Sequence, residues 1–338
     1  MPQAASRLEL ICPAGSLPSL QAAVDSGANH VYMGLRDNTN ARNFAGLNFD
    51  VDAARRGARY AHDHGVGVLI AINTYPQPGV WERWTGAVDT AASLGADAVI
   101  VADPGLMRYA ARNYPRLALH LSVQGSATNY EAINFYHRHF NIRRAVLPRV
   151  LSVAQIASVI RNTPVGIEAF GFGSLCVMVE GRCALSSFVT GESPNMAGVC
   201  SPAAAVRWNM TPEGLESRLN GVLINRYGNG EHAAYPTLCK GRFEVEGSAY
   251  YPIEEPASLN AIELLPELAR IGVKAIKVEG RQRSPAYVAA VTRVWRRALD
   301  ACAHYAADFV PNPDWQQALL SLSEGQQHTL GAYHRPWK

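Results

Sequence analysis

Short apolar runs alternate with amphipathic stretches along this chain at intervals of about 30 residues. The runs cover residues 8–12, 30–34, 66–72, 98–102, 118–123, 144–147, 165–170 and 275–278. They are mostly continuous rather than alternating, the pattern of parallel strands buried on both faces. The amphipathic stretches span 16–26, 50–64, 80–94, 128–139, 152–160 and 258–271. Ser16 is placed to cap the first, and Gly27, Gly65, Gly95 and Gly272 follow four of them. A glycine in the left-handed region closes a helix and turns the chain into the next strand. Eight strand–helix units predict an α/β fold, a (β/α)8 TIM-like barrel. A doubly wound open sheet is the rival, but Gly171-Phe-Gly173 is not followed by the third glycine that opens a dinucleotide-binding helix.

The rhythm breaks once. Between strands seven and eight, residues 171–256 are rich in Gly, Pro and Asn and read as a long insertion at the barrel mouth. Three segments follow: 1–170 with the first seven βα units, 171–256 as the insertion, and 257–338 with the last unit. The last segment carries a terminal helix over 285–303 with a Val/Trp/Leu face.

Composition narrows the class. The 338 residues are 48% hydrophobic and 17% charged, which fits a large α/β core with an excursion. The net charge of +3 comes without a basic run, so charge gives nucleic-acid binding no support. No stretch of about 20 apolar residues predicts a membrane span. Residues 1–6 lack a charged start leading into an apolar run, so a cytoplasmic location is expected. In that compartment cysteines are metal-bound or free rather than paired.

Active sites of such barrels lie at the carboxyl ends of the strands. Here those ends carry Arg36 and Arg42, Asn73, Asp103, Gln124 with Asn129 close behind, Arg149, Glu168, and Arg281. Any one of them reads most simply as a cap or a solvated surface residue. As a set, the candidate catalytic residues are Arg36, Arg42, Asn73, Gln124, Arg149, Glu168 and Arg281. The four arginines are expected to converge on a carboxylate or phosphate, which a guanidinium grips with two hydrogen bonds.

Four of the six cysteines, Cys176, Cys183, Cys200 and Cys239, fall in the insertion, seven, seventeen and thirty-nine residues apart. Four thiolates gathered by loops suit a soft metal. The spacing matches neither the ferredoxin run nor a zinc ribbon, so iron–sulfur, zinc and plain buried thiols all stay open. Cys12 is a reserve ligand at a strand end, and Cys302 reads as structural. His62/His64 and His137/His139 lie two apart on predicted helices and face different ways. No Gly-x-Ser-x-Gly elbow or His-Glu-x-x-His helix is present.

Several longer stretches are specific. Leu10-Ile-Cys-Pro-Ala-Gly-Ser16, Gly171-Phe-Gly-Ser-Leu-Cys176, Glu180-Gly-Arg-Cys183, Gly191-Glu-Ser-Pro-Asn195 and Lys277-Val-Glu-Gly-Arg281 resemble the collagenase-like peptidase family. Within it they look most like a branch that serves ubiquinone biosynthesis. Phe44-Ala-Gly-Leu-Asn-Phe49 and the 329–338 ending extend the likeness over nearly the whole chain.

The resemblance implies a 4Fe-4S cluster held by Cys176, Cys183, Cys200 and Cys239. It implies a heterodimer with a smaller paralogue that bears its own cluster; the long quinone tail is expected to lie on a partner or a lipid carrier. It further implies oxygen-independent, anaerobic hydroxylation of a ubiquinone precursor, with prephenate as hydroxyl donor. The strand-end arginines would then face a dicarboxylate. Relatives that hydroxylate rRNA or tRNA make RNA hydroxylation the rival, although no added RNA-binding domain follows the barrel here. Proteolysis, the family label, finds no nucleophile–base pair in the sequence. A non-catalytic partner subunit that positions a lipid precursor is a third reading.

Overall fold

The computed structural model describes residues 8–44, 46–194, 198–305 and 308–335. Residues 1–6, Ala45, Asn195 and the last three residues of the 329–338 motif lie outside the described residues. Seven parallel strands come first: β1 (Glu9–Pro13), β2 (His30–Gly34), β3 (Gly67–Ile72), β4 (Ala98–Val101), β5 (Ala118–Leu121), β6 (Arg144–Val146) and β7 (Gly166–Ser174). Between them run α1 (Leu17–Asp25), α2 (Val51–Asp63), α3 (Trp81–Ser93), α4 (Pro104–Asn113), α5 (Tyr130–Phe140) and α6 (Val153–Arg161).

The chain then enters the insertion through the short α7 (Leu185–Thr190). A three-stranded antiparallel sheet follows, β8 (Val206–Thr211), β9 (Gly214–Leu219) and β10 (Val222–Tyr227), and then the hairpin β11 (Phe243–Val245) and β12 (Ser248–Tyr250). It returns through β13 (Ser258–Asn260) and α8 (Leu265–Ile271) to β14 (Ala275–Val278). That strand pairs in parallel with both β1 and β7 and closes the barrel. The expected eight-stranded barrel is therefore present. After it come α9 (Pro285–Tyr305), α10 (Pro313–Leu322) and β15 (His328–Thr329).

Local chemistry explains the helix starts. The side chains of Ser16, Asp50, Asp103, Asn129 and Ser152 each accept a backbone N–H in the first turn of the helix that follows. Asp103 and Asn129 are thus caps rather than site residues. The apolar periodicity predicts no helix over 104–113, where α4 lies. Pro104 opens it and Leu106, Met107 and Ala110 bury its inner face.

The stretch 258–271 is not one helix. Its first residues form β13, antiparallel to the end of β7 through Ser258↔Ser174, Leu259↔Gly173 and Asn260↔Phe172. The cause is the length of β7, which runs past the barrel to Ser174 instead of ending at 170 and so offers a free edge to pair. The 170/171 division accordingly falls inside a strand.

Two apolar layers hold the molecule. The larger lies between strands and helices and includes Leu10, Val31, Ile70 and Phe172, with Trp295 of α9 fully buried. The smaller, inside the barrel, holds only Ile11, Tyr32, Leu69, Ala98, Ile100 and Ala275. Barrels of this kind normally fill the interior with branched apolar side chains. Here the alternating inward positions instead carry His30, His120, Arg144, Glu168 and Lys277.

Gly171 sits where β7 passes under α9. A Cβ there would lie 2.5 Å from Ile276 Cγ2 and 2.7 Å from Trp295 Cη2. Gly171→Ala is expected to lower stability by about 1–3 kcal/mol through overpacking, read as a shifted urea midpoint at constant slope.

Candidate functional site

The insertion sits on the barrel mouth, and Arg149 at the end of β6 fixes it there. Its Nε and Nη2 each lie 2.8 Å from Glu180 Oε1 of the insertion. Its Nη1 donates to the Ser174 carbonyl at 2.9 Å and lies 2.6 Å from Glu279 Oε2, just past β14. The guanidinium also stacks 4.1 Å from the Phe170 ring centroid. Burial works against this charge, but Glu279 and Glu180 outweigh it and hold the guanidinium above its ordinary pKa.

Close backbone contacts reinforce the seat. A Cβ on Gly181 would meet the Gln124 carbonyl at 2.3 Å, and one on Gly198 would meet Arg42 N at 2.6 Å. Both glycines have positive φ, at 85° and 71°. The Ser126 hydroxyl donates to the Glu180 carbonyl at 2.7 Å.

The four arginines do not converge on one point. Arg36 is exposed and donates to the Asn48 carbonyl, 3.9 Å from Asp50. Arg149 is saturated by its two carboxylates. Arg281 is buried, donates to Asn40 Oδ1 at 2.9 Å and to the Ala41 carbonyl, and faces the Tyr32 ring. Burial lowers its pKa to about 10, and the nearby Arg42 charge adds to the effect. Arg42, with φ 75°, has no side-chain hydrogen bond or ion pair among the described residues. Arg42 and Arg281 are therefore two cations at the mouth without a carboxylate partner. Asn73 is a scaffold residue: its Oδ1 accepts from Ala41 N at 2.9 Å and its Nδ2 donates to Ser122 Oγ. Gln124 is buried with its Oε1 unpartnered.

All four insertion cysteines lie in turns or short helical pieces and are half-buried: Cys176 just after β7, Cys183 after the 179–182 turn, Cys200 beside the 41–42 loop, and Cys239 in a single turn at 238–240. Their charges act on one another. Cys200 raises the pKa of Cys176 and Cys239, and Cys183 raises that of Cys200 and Cys239. Burial is the larger cause and pushes Cys176 and Cys239 up to about 12. Arg42 and Arg149 pull Cys200 back down. Among the described residues, no three His, Cys, Asp or Glu side chains are arranged to hold a single metal ion.

Cys12 drops out as a reserve ligand. It is fully buried on the helix side of β1, where the Thr292 hydroxyl donates to its Sγ. Cys302 is buried on α9, as expected.

Glu168 points into the barrel, not the mouth. Its Oε1 lies 2.7 Å from Lys277 Nζ and its Oε2 3.7 Å from Arg144 Nη1. Burial opposes its charge, yet Lys277 and Arg144 hold the carboxyl below its usual range. Lys277 and Glu180 are not among the sequence candidates, and Glu279 figures only as part of the polar end of the eighth strand, Glu279-Gly-Arg-Gln-Arg283. A lysine inside the apolar run Ala-Ile-Lys-Val was the available signal for the first. Nothing in the sequence marks the pairing of Glu180 and Glu279 with Arg149.

One Ser–His contact bears on proteolysis: Ser323 Oγ lies 2.8 Å from His328 Nε2. The serine hydroxyl donates to the Leu319 carbonyl, and His328 Nδ1 faces the Asn260 amide nitrogen. The imidazole N–H therefore points at the serine, the wrong way round for a general base.

Residues 15–336 match the profile of peptidase family U32. The tRNA hydroxylation protein P of Escherichia coli is 29% identical over 95% of this chain and 72% of its own. An uncharacterized protease of Methanocaldococcus jannaschii is 32% identical over 87% of this chain and 65% of its own. The 23S rRNA 5-hydroxycytidine C2501 synthase of Escherichia coli is 28% identical over 87% of this chain and 40% of its own.

Two outcomes follow from the site's electrostatics. Arg149→Met strands Glu180 and Glu279 without their cation and is expected to cost about 3–5 kcal/mol in urea unfolding. Adding Glu180→Gln should recover part of that loss. His120 is buried, which pushes its pKa from 6.5 down to about 3. The unfolded chain therefore takes up a proton that the fold refuses. The resulting stability is complete above pH 6.5 and is lost toward pH 3 at up to about 1.4 kcal/mol per pH unit. Unfolding of His120→Phe at pH 7, 6 and 5 should show a shallower fall than the parent.

Proposed function

This chain belongs to peptidase family U32, and we propose that within it the protein is a UbiU-type subunit of an oxygen-independent hydroxylase. Its substrate is the ring of a ubiquinone precursor, and its partner is a UbiV-like paralogue. The observation that carries the reading is four half-buried cysteines, each within the electrostatic reach of another, on an insertion clamped over a barrel mouth. Relatives named for tRNA and rRNA hydroxylation support the reaction class.

The donor set fits a 4Fe-4S cluster held by Cys176, Cys183, Cys200 and Cys239. Sulfur is the right ligand, and a cubane takes one thiolate on each of its four irons. The unpaired Arg42 beside Cys200 offsets the negative charge that ionised thiolates bring. When bound, such a cluster supplies one-electron transfer. Arg149, Glu180 and Glu279 hold the cysteine loops against the mouth. Arg281 and Arg42 offer cations to a carboxylated hydroxyl donor such as prephenate, and Asn73, Ser122 and Asn40 keep the backbone around them in place. Arg281, Gln124 and Arg149 are all buried at this end of the barrel.

A partner has a surface to use. The insertion exposes Phe188, Trp208 and Met210, and β8 is an edge strand of its sheet. A lipid carrier would present the quinone tail.

RNA hydroxylation is the second reading, favoured by the relatives' names. A deletion strain grown without oxygen separates the two. Loss of ubiquinone under anaerobiosis alone, restored by the parent gene and not by an Arg281→Met version, is the expected result. Normal quinone with loss of a hydroxylated nucleoside would replace this reading with the second.

A further inference from the structure

The interior of this barrel is ionic where such barrels are normally aliphatic. A string of charged and titratable side chains leads inward from its amino-terminal face. Glu9 Oε2 lies 3.7 Å from His30 Nδ1 and 2.7 Å from Arg144 Nη2. Arg144 Nη1 lies 3.7 Å from Glu168 Oε2, and Glu168 Oε1 lies 2.7 Å from Lys277 Nζ. Lys277 Nζ sits 3.9 Å from the centroid of Tyr32, whose hydroxyl donates to the Val278 carbonyl at the mouth end of β14. Exposure falls along this string, with side chains 37% accessible at Glu9, 14% at Arg144 and 0% at Glu168. His120 lies within the field of Glu168 and Arg144.

The string is incompletely bonded. His30 Nδ1, His120 Nδ1, Arg144 Nη1 and Glu168 Oε2 are all buried and have no hydrogen-bond partner among the described residues. Buried polar atoms are costly unless something satisfies them, and a group of them, with Arg144 Nη1 3.7 Å from Glu168 Oε2 and both histidines in the field of those two charges, is what ordered water binds. The neighbouring inward positions are small: Gly67, whose missing Cβ makes room for the His30 ring, with Ala98, Ala118 and Ala275. An ionic core of this kind is not the most stable filling available, since apolar side chains of like volume serve as well or better.

We propose that the barrel interior is a water-filled proton path joining solvent at the amino-terminal face to Lys277 beneath the mouth. One proton enters at Glu9 and His30 for each proton that Lys277 yields at the mouth. Lys277 is recharged through water and Glu168, so every group returns to its starting state and no electron moves. Burial lowers the pKa of both histidines, so each imidazole stays neutral and takes a proton on one nitrogen while releasing it from the other. The path gives a covered mouth a proton supply that does not cross the insertion. It deepens the hydroxylation reading, but its test needs no turnover.

The test uses the full chain in two measurements. In a crystal structure near 1.2 Å resolution, waters are expected within hydrogen-bond distance of the four unpartnered atoms. A dry interior, with those atoms paired to one another, overturns the proposal. In NMR of protein with 15N-labelled histidine, the His120 ring proton should exchange with solvent in the parent. Exchange should slow about tenfold or more in His30→Phe, which keeps the ring and removes the carrier. Glu9→Gln, at the exposed entrance, provides a second variant should His30→Phe fold poorly. Exchange unchanged in a folded variant of either kind means that protons arrive by another route, and overturns the path. Failure of the hydroxylation reading would appear separately, as unaltered quinone in the deletion strain with exchange intact.

Discussion

The Arg149 guanidinium joins four pieces of chain that nothing else ties together at one point. It leaves β6, lies on the Phe170 ring of β7, bonds the Ser174 carbonyl where that strand ends, and meets Glu180 of the insertion and Glu279 after β14. A buried ion pair of this kind adds little net stability over an apolar filling, but loss of one member is expensive. Its effect is positional. Without it the insertion would lose its ionic anchor, leaving the backbone contacts at Gly181 and Gly198 and the Ser126 hydrogen bond to hold the cysteine loops at the mouth. With it, Cys176 and Cys183 flank a segment pinned at Glu180, and the Cys200 turn lies against the loop of Arg42.

From that seat the distribution of charge follows. The carboxylates near the mouth are taken up by Arg149, and Glu168 is taken up inside the barrel by Lys277 and Arg144. Arg42 and Arg281 are left over, next to sulfur on one side and the Tyr32 ring on the other. Arg42 beside Cys200, with Arg281 buried at the same mouth, forms a consistent electrostatic arrangement for a site that takes negative charge.

The barrel was legible because parallel strands buried on both faces leave continuous apolar runs, and because glycines and capping side chains mark where helices stop and start. Position in sequence also exposed the insertion and its four cysteines. The reading failed where tertiary pairing decides: nothing local in 258–260 distinguishes a helical turn from a strand, and only the free edge of β7 makes it one. It also failed on orientation. Arg36 and Glu168 stand at strand ends or in strands as expected, yet one turns out to solvent and the other into the barrel, because period and register rather than residue type set the direction. Convergence of four arginines is an inference from type alone, and among the described residues only Arg42 and Arg281 of the four have no carboxylate partner.

The most direct test of the account is the metal content of the chain purified without oxygen, alone and with the proposed paralogue. About four irons and four sulfides per chain, with a charge-transfer absorbance lost in Cys200→Ala and Cys239→Ala, is the predicted result. One zinc per chain and no sulfide would contradict it, making the cysteine site structural and leaving the mouth without a redox centre.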